Sequence, residues 1–377
     1  MDRRIYLDYN ASTPMDPRVF QAVVDALRSY GNPSSIHSEG RDARALVDQA
    51  RIELAALMRC DHHGIIFTSG GTESINLAVL GYARANQEKG RHIVTSSIEH
   101  SAVLNSCHQL EREGFEVTYV APSSGGTVDP ARVEAALRPD TILVSVMLAN
   151  NEIGTVQPLR ELAGLARARG IRIHTDAVQA LGKIDVCPGE LGADLLSVSA
   201  HKIYGPKGAG ALYCAAGVEL QPLSRGGSHE RGLRAGTENT AAICGFGVAA
   251  RLLAEEGLPD LLPLRQQLEN GLSKMSLRVL CRESPRLPNT VNFYSEAWPG
   301  ESMVMAFDLQ GFSVSNGSAC AAGIIEPSHV VLALGYNEAV ARSVIRVSVG
   351  KYTESGEIDR FLRAVEKFET TGPGVRA

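Results

Sequence analysis

Five short apolar segments, three of them tied to stretches of helical period, constrain the fold of this chain more than any other feature. "IIFTS" (Ile65–Ser69) leads into "GTESINLAVLGYARAN", "HIVTSS" (His92–Ser97) into "AVLNSCHQLERE", and "TILVSVM" (Thr141–Met147) precedes "LRELAGLARARG". "IRIHTD" (Ile171–Asp176) and "DLLSVSA" (Asp194–Ala200) follow. Strands that are apolar at nearly every position are buried on both faces, and helices between them allow parallel pairing. The pattern predicts a mostly parallel central sheet flanked by helices. After about Thr240 it changes. Two long helical stretches, "NTAAICGFGVAARLLAEE" and "DLLPLRQQLENGLSKM", lead to strands "NTVNFY" and "VIRVSVG" and a last helix near Glu354–Thr370. This predicts a second, smaller α+β unit, as expected for 377 residues, more than one core usually accommodates.

Composition narrows the function classes. With 44% hydrophobic and 21% charged residues the chain has the balance of an ordinary globular enzyme. A net charge of −5 offers no basic field, so no direct nucleic-acid binding is expected. The run "TILVSVML" is too short to cross a bilayer, and "MDRRIYL" has no apolar stretch behind its charges, so neither membrane nor leader is expected. Seven cysteines are scattered without CxxC or zinc-knuckle spacing, which predicts neither a disulfide framework nor a metal site. The expected location is the cytosol.

In an open α/β sheet, ligands bind beyond the carboxyl ends of the strands, so polar residues there carry the most information. "SGGTES" (Ser69–Ser74) follows the first strand and opens a helix, whose free N–H groups and dipole suit an anion. It lacks the GK[ST] of a P-loop and is no GxGxxG, which disfavours a nucleotide. Asp176 and Gln179 follow "IRIHT"; taken alone, the aspartate is a helix cap, a metal or ribose ligand, or the partner of a protonated ring nitrogen. "SVSAHKIYGPKGAG" (Ser197–Gly210) places Ser199, His201 and Lys202 after a further strand. Lys202 alone reads as an exposed turn lysine, part of a phosphate loop, or an amine with covalent chemistry. An anion cradle, an acid and a lysine in one crevice meet the needs of pyridoxal 5′-phosphate: helix N-terminus for phosphate, carboxylate for ring nitrogen, amine for aldehyde.

Ordered motifs carry a family resemblance. "LDYNASTP", "GNPSSIHSEG", "FTSGGTESIN", "EHSAV", "NNEIGTVQP", "HTDAVQALGK", "SAHKIYGPKGAGALY", "RAGTEN", "NGSACAAG" and "RVSVG" run from about residue 5 to residue 350. Together they resemble the cysteine desulfurases, class V enzymes of the fold-type I pyridoxal-phosphate group. The resemblance implies an α/β fold with a large cofactor-binding domain at 16–257 and a small domain of 1–15 and 258–377. It implies that Lys202 holds the cofactor as a Schiff base, Asp176 pairs with the ring nitrogen and Gln179 with the ring oxygen, and Asn151 lies at the same edge. Gly71, Thr72, Ser199 and His201 would hold the phosphate, with Thr237 of a second copy in a homodimer. His100 would stack on the ring and move protons.

Arg346 is a charge within a β-branched strand, and its planar fork suits the α-carboxylate of L-cysteine; Asn32 is a second substrate candidate. Cys320 lies in "SNGSACAAG", a run of small residues expected to form a loop that can carry a thiol. In family terms it is the persulfide nucleophile, and Pro327 resembles the longer-loop group of desulfurases. Asn316 and His229 depart from the family's usual Ser and Gln. The implied reaction converts L-cysteine to L-alanine and passes sulfur to an acceptor protein, an iron–sulfur scaffold or another relay such as tRNA or DNA thiolation. The alternatives are a selenocysteine lyase or another class V enzyme; a dehydrogenase lacks its GxGxxG, and "HERGL" has Leu233 where a metal hydrolase needs His.

Overall fold

The computed structural model describes residues 4–317 and 326–371. Twelve strands are present among them: β1 (Ile5–Tyr6), β2 (Ile65–Thr68), β3 (His92–Ser96), β4 (Glu116–Val120), β5 (Thr141–Ser145), β6 (Arg172–Asp176), β7 (Leu195–Ser199), β8 (Gly210–Cys214), β9 (Arg278–Val279), β10 (Thr290–Tyr294), β11 (Phe312–Ser313) and β12 (Val344–Ser348). Seven form the central sheet in the order β2-β8-β7-β6-β5-β3-β4. All neighbours pair in parallel except β8, which runs antiparallel to both β2 and β7. The expected parallel sheet is therefore present with one reversed strand. Apolar periodicity reports burial and not direction, so the reversal was invisible in it.

The continuous apolar strands are explained by their two faces. Val94, Val144 and Leu196 point into one core. Their neighbours Ile93, Leu143 and Leu195 point into another. Side chains alternate across a strand, so helices on both sides require apolar residues at every position. The first core is closed by the helices Ser38–Leu57 and Thr240–Glu256, which meet at Gly247. A Cβ there would stand 2.4 Å from Ala50 Cα, so no side chain fits between them. The first of the two helical stretches after Thr240 thus packs on the central sheet's own core through Phe246, whose ring lies edge-on to Phe67.

The C-terminal part has a core of its own. β10 pairs antiparallel with β12 and β9, and the helix Ser355–Thr371 covers them with Phe361. Ile5 and Leu7, from the start of the chain, are buried in this same core, because β1 pairs in parallel with β11. Leu7 O also accepts from Ser348 N at 2.8 Å. This short N-terminal segment brings Asp8 and Asn10 to the junction of the two cores, where they matter for the site.

Candidate active site

The carboxyl ends of β2, β3, β5, β6 and β7 deliver polar groups to one cavity of about 620 Å³. β2 is followed by the helical run that starts at Gly71, β3 by His100, which caps the helix Ser101–Arg112, and β5 by the segment ending in Asn151. β6 ends on Asp176, with Gln179 in the turn beyond it, and β7 ends on Ser199 before a single 3-10 turn, Ala200–Lys202. From the other core, Arg346 enters on β12. Gly71, Thr72, His100, Asn151, Asp176, Gln179, Ser199, His201, Lys202 and Arg346 all line this cavity. Ten of the thirteen site residues expected from sequence are therefore brought together.

The glycines after Lys202 serve packing. A Cβ on Gly210 would lie 2.5 Å from the carbonyl carbon of Gly70, and one on Gly205 would lie 2.8 Å from Ala200 O. β8 can run beside the β2 turn only without a side chain at position 210. Lys202 is not an exposed turn lysine. Its Nζ donates to Ala11 O at 2.9 Å and to Asn10 O. Burial, reinforced by the Arg346 guanidinium, lowers its amine to about 8, while Asp176 and Asp8 pull the other way. A largely buried amine that loses its proton near neutral pH is suited to covalent and proton-transfer chemistry.

Around it the charges are arranged for a polar ligand. Burial pushes the Asp176 carboxyl up from its usual range, and His100 and Lys202 partly offset this. Its Oδ1 accepts from Val178 N at 2.9 Å, which fixes the carboxylate as a cap and points it at the cavity. His100 Nδ1 accepts from Ala102 N at 3.1 Å, leaving Nε2 as its other polar atom. His201 is lowered to about 4 by burial and the neighbouring lysines, and its Nδ1 meets Ser12 Oγ at 3.2 Å. Ser199 Oγ is buried and has no hydrogen-bond partner among the described residues. A buried hydroxyl in a cavity lining, without a protein partner, is available to a ligand atom.

Arg346 lines the cavity but is already engaged. Its Nη2 pairs with Asp8 Oδ1 at 2.7 Å, and Nη1 donates to Asn151 O at 3.0 Å, while Nε has no partner among the described residues. The ion pair explains how a guanidinium that is 3% exposed stands inside a β-branched strand. Asn32 and Thr237 do not line this cavity within the single chain. Asn32 is exposed, and its side-chain oxygen accepts from Ser34 N at 2.9 Å. Thr237 is exposed on a loop held by Arg234–Glu73 and Arg44–Glu238 ion pairs. Cys320 lies outside the described residues, but Gly317 before it and Glu326 and Pro327 after it line the cavity. His229, the departure from the family pattern, stands 3.8 Å from Glu238.

Sequence reasoning missed several lining or supporting residues. Asn10 O accepts from both Lys202 and Gln179, although "LDYNASTP" offered no more than a motif match. Glu152 Oε2 accepts from Ser328 Oγ at 2.5 Å, and His329 Nε2 meets Glu99 O at 2.9 Å. Each of these partners is far away in sequence, and no periodicity announces it.

The donor set fits pyridoxal phosphate. The unpartnered Ser199 hydroxyl and the first-turn amides at Gly71 and Thr72 would hold the phosphate, Asp176 the ring nitrogen, Gln179 the ring oxygen, and Lys202 the aldehyde carbon. A side chain at position 71 would crowd this cradle, since a Cβ there would meet Val178 Cγ2 at 2.8 Å.

Comparison with known proteins agrees with this chemistry. The aminotransferase class-V family matches residues 5–361. Cysteine desulfurase IscS of Dictyoglomus turgidum is 46% identical over 383 residues, covering 99% of this chain and 97% of the relative. A solved NifS-like protein superposes with a TM-score of 0.91 at 35% identity, over 97% of this chain and 99% of its own. SspA, solved in complex with cysteine, gives a TM-score of 0.82 at 38% identity, over 93% of this chain and 100% of its own.

Proposed function

Because this chain belongs to the aminotransferase class-V family and is, within it, a pyridoxal-phosphate-dependent cysteine desulfurase, we propose that its residues divide the reaction among them as follows. The bound cofactor supplies an electron sink that stabilises negative charge at the substrate Cα. Lys202, with an amine that loses its proton near pH 8, removes the Cα proton of L-cysteine. Asp176 keeps the ring nitrogen protonated, and His100, which lines the same cavity, holds the ring face and returns protons. Arg346 orients the substrate carboxylate with the part of its fork that Asp8 and Asn151 leave free.

The Cys320 thiolate then attacks the substrate sulfur. A sulfur–sulfur bond forms, the carbon–sulfur bond breaks with its electron pair going to the carbon fragment, and protonation of that fragment gives alanine. Two observations support Cys320 in this role. The chain enters and leaves its segment at the cavity lining. Among the other cysteines, burial pushes the thiols of Cys60 and Cys107 up to about 12, those of Cys214 and Cys281 to about 11, and raises that of Cys244, so none of these five is poised as a thiolate. The unpaired cysteines among the described residues also fit a reducing compartment, the cytosol. The acceptor is read as an iron–sulfur scaffold or a sulfur-relay protein. We read residues 16–257 as the cofactor-binding unit and 1–15 with 258–377 as the smaller one; the burial of Ile5 and Leu7 in the C-terminal core supports this division.

The observation that carries this reading is the meeting of Lys202, Asp176 and the unpartnered Ser199 hydroxyl in one cavity. Its test is the product balance. Incubated with L-cysteine, the holoenzyme should yield one alanine for each sulfur found on the protein or released by reductant. Pyruvate and ammonia in place of alanine would overturn the reaction as written.

The resemblance assigns Thr237 to the phosphate of a partner subunit, and its exposure, away from the cavity of its own chain, leaves it available for that role. Lys202→Ala and Thr237→Ala chains, each inactive as homodimers, should recover about one working site per heterodimer when mixed, because one of the two sites then lacks both mutations. Size-exclusion chromatography with tagged chains identifies the heterodimer. A confirmed heterodimer without activity would count against the shared site.

A further inference from the structure

Lys183 has no place in the reaction above, yet it is a buried cationic side chain, 7% exposed, and forms no ion pair among the described residues. Both of its hydrogen bonds go to one residue. Nζ donates to Gln179 Oε1 at 2.6 Å and to Gln179 O at 3.0 Å. An isolated buried ammonium is costly, and burial together with the charges of Lys202 and Arg346 holds this amine well below the usual lysine range.

The consequence falls on Gln179. The terminal torsion of a carboxamide is soft, and a half-turn exchanges its oxygen for its NH2 group. Lys183 meets the oxygen, so Nε2 lies on the other side, where it donates to Asn10 O at 2.8 Å. The same carbonyl accepts from Lys202. Gln179 lines the cavity, and Nε2 has a second N–H to offer. After a half-turn, Oε1 would oppose Asn10 O, acceptor against acceptor, and Nε2 would oppose a donor.

We infer that Lys183 is a positioning residue: it locks the Gln179 carboxamide with its NH2 toward the cavity, where it donates to the ring oxygen of the cofactor, and links that orientation to the Lys202 amine through Asn10 O. The inference rests on the assignment of Gln179 to the ring oxygen given above.

The test uses four holoproteins: wild type, Lys183→Met, Gln179→Ala and the double variant. Two quantities are read without substrate: the pH midpoint of the bound cofactor's visible band, and the cofactor dissociation constant from titration of the apoprotein. A donated N–H favours negative charge on the ring oxygen, so its loss makes the neighbouring proton harder to remove. Lys183→Met should therefore raise the midpoint by about one unit and weaken cofactor binding about tenfold, the size of one hydrogen bond to a charged group. In the Gln179→Ala background it should add nothing further, because the two residues act as one.

If Gln179→Ala raises the midpoint and Lys183→Met leaves it at the wild-type value, the inference is overturned while the Gln179 assignment stands. Simple addition of the two effects would also overturn it, since Lys183 would then act through charge or packing. If Gln179→Ala moves neither quantity, the assignment itself fails, and the inference with it. Should Lys183→Met not accumulate as folded holoprotein, Lys183→Leu is read in the same way, because its side chain carries no donor for Oε1.

Discussion

Replacing Lys202 by alanine should reduce alanine formation from L-cysteine by about 10⁴-fold or more, because the variant loses both the covalent anchor and the base at Cα. No described lysine lining the cavity takes its place. Lys183 is close enough to influence Lys202 electrostatically, but both its hydrogen bonds run to Gln179. The wild-type amine, lowered to about 8, gains neutral form as pH rises toward that value, so the activity of the intact enzyme should climb on the acid side of it. Borohydride reduction supplies a second measurement. It should fix the cofactor to the wild-type chain on the peptide containing Lys202, and should fix none to the variant. Full alanine output from Lys202→Ala, or cofactor trapped on another lysine, would refute the assignment.

The second large effect is expected at Cys320. Cys320→Ser should retain the visible band of the cofactor and its change on adding L-cysteine, while alanine release falls by about 10³-fold or more. A serine hydroxyl is not ionised at neutral pH and is a poor nucleophile toward sulfur. The fall should be specific to cysteine: selenocysteine, whose selenium leaves more readily, should still be turned over, which separates desulfurase from lyase behaviour. Mass spectrometry of the wild-type protein should find one added sulfur on the Cys320 peptide. A packed cysteine without a chemical role predicts near-normal alanine output from the serine variant, and that outcome, or a persulfide found on another cysteine alone, would remove Cys320 from the mechanism.

Much of this site could be read in the sequence because it is built from strand ends. Asp176, Ser199 and Lys202 each stand within three residues of an apolar run, and the rule that ligands sit beyond the carboxyl ends of such runs needs no knowledge of which strand pairs with which. The alternation of "HIVTSS" and "TILVSVM" with helical stretches likewise identified a sheet buried on both faces, since local periodicity records which faces of a segment are covered. The resemblance added roles to these positions, and the cavity brought ten of the expected residues to one place. Arg346 was visible for the opposite reason: a charge in a β-branched strand is an anomaly that demands a partner.

The identity of that partner was decided by the tertiary structure alone. Asp8 lies 338 positions away and meets Arg346 because β1 pairs with β11 and the following segment lies against β12. Asn10 O reaches Lys202 and Gln179 by the same route. The reversed direction of β8, seen only in its pairing with β2 and β7, is of this kind too, and so is the need for glycine at position 210, which follows from how closely β8 passes the backbone of Gly70. The physical reason is common to all of them. A residue's own segment fixes whether it is buried and on which face, and so composition and spacing carry that information. Which hydrogen-bond partner a buried polar atom finds depends on chain closure over hundreds of residues, where the cost of leaving a donor or acceptor unpaired selects the final arrangement.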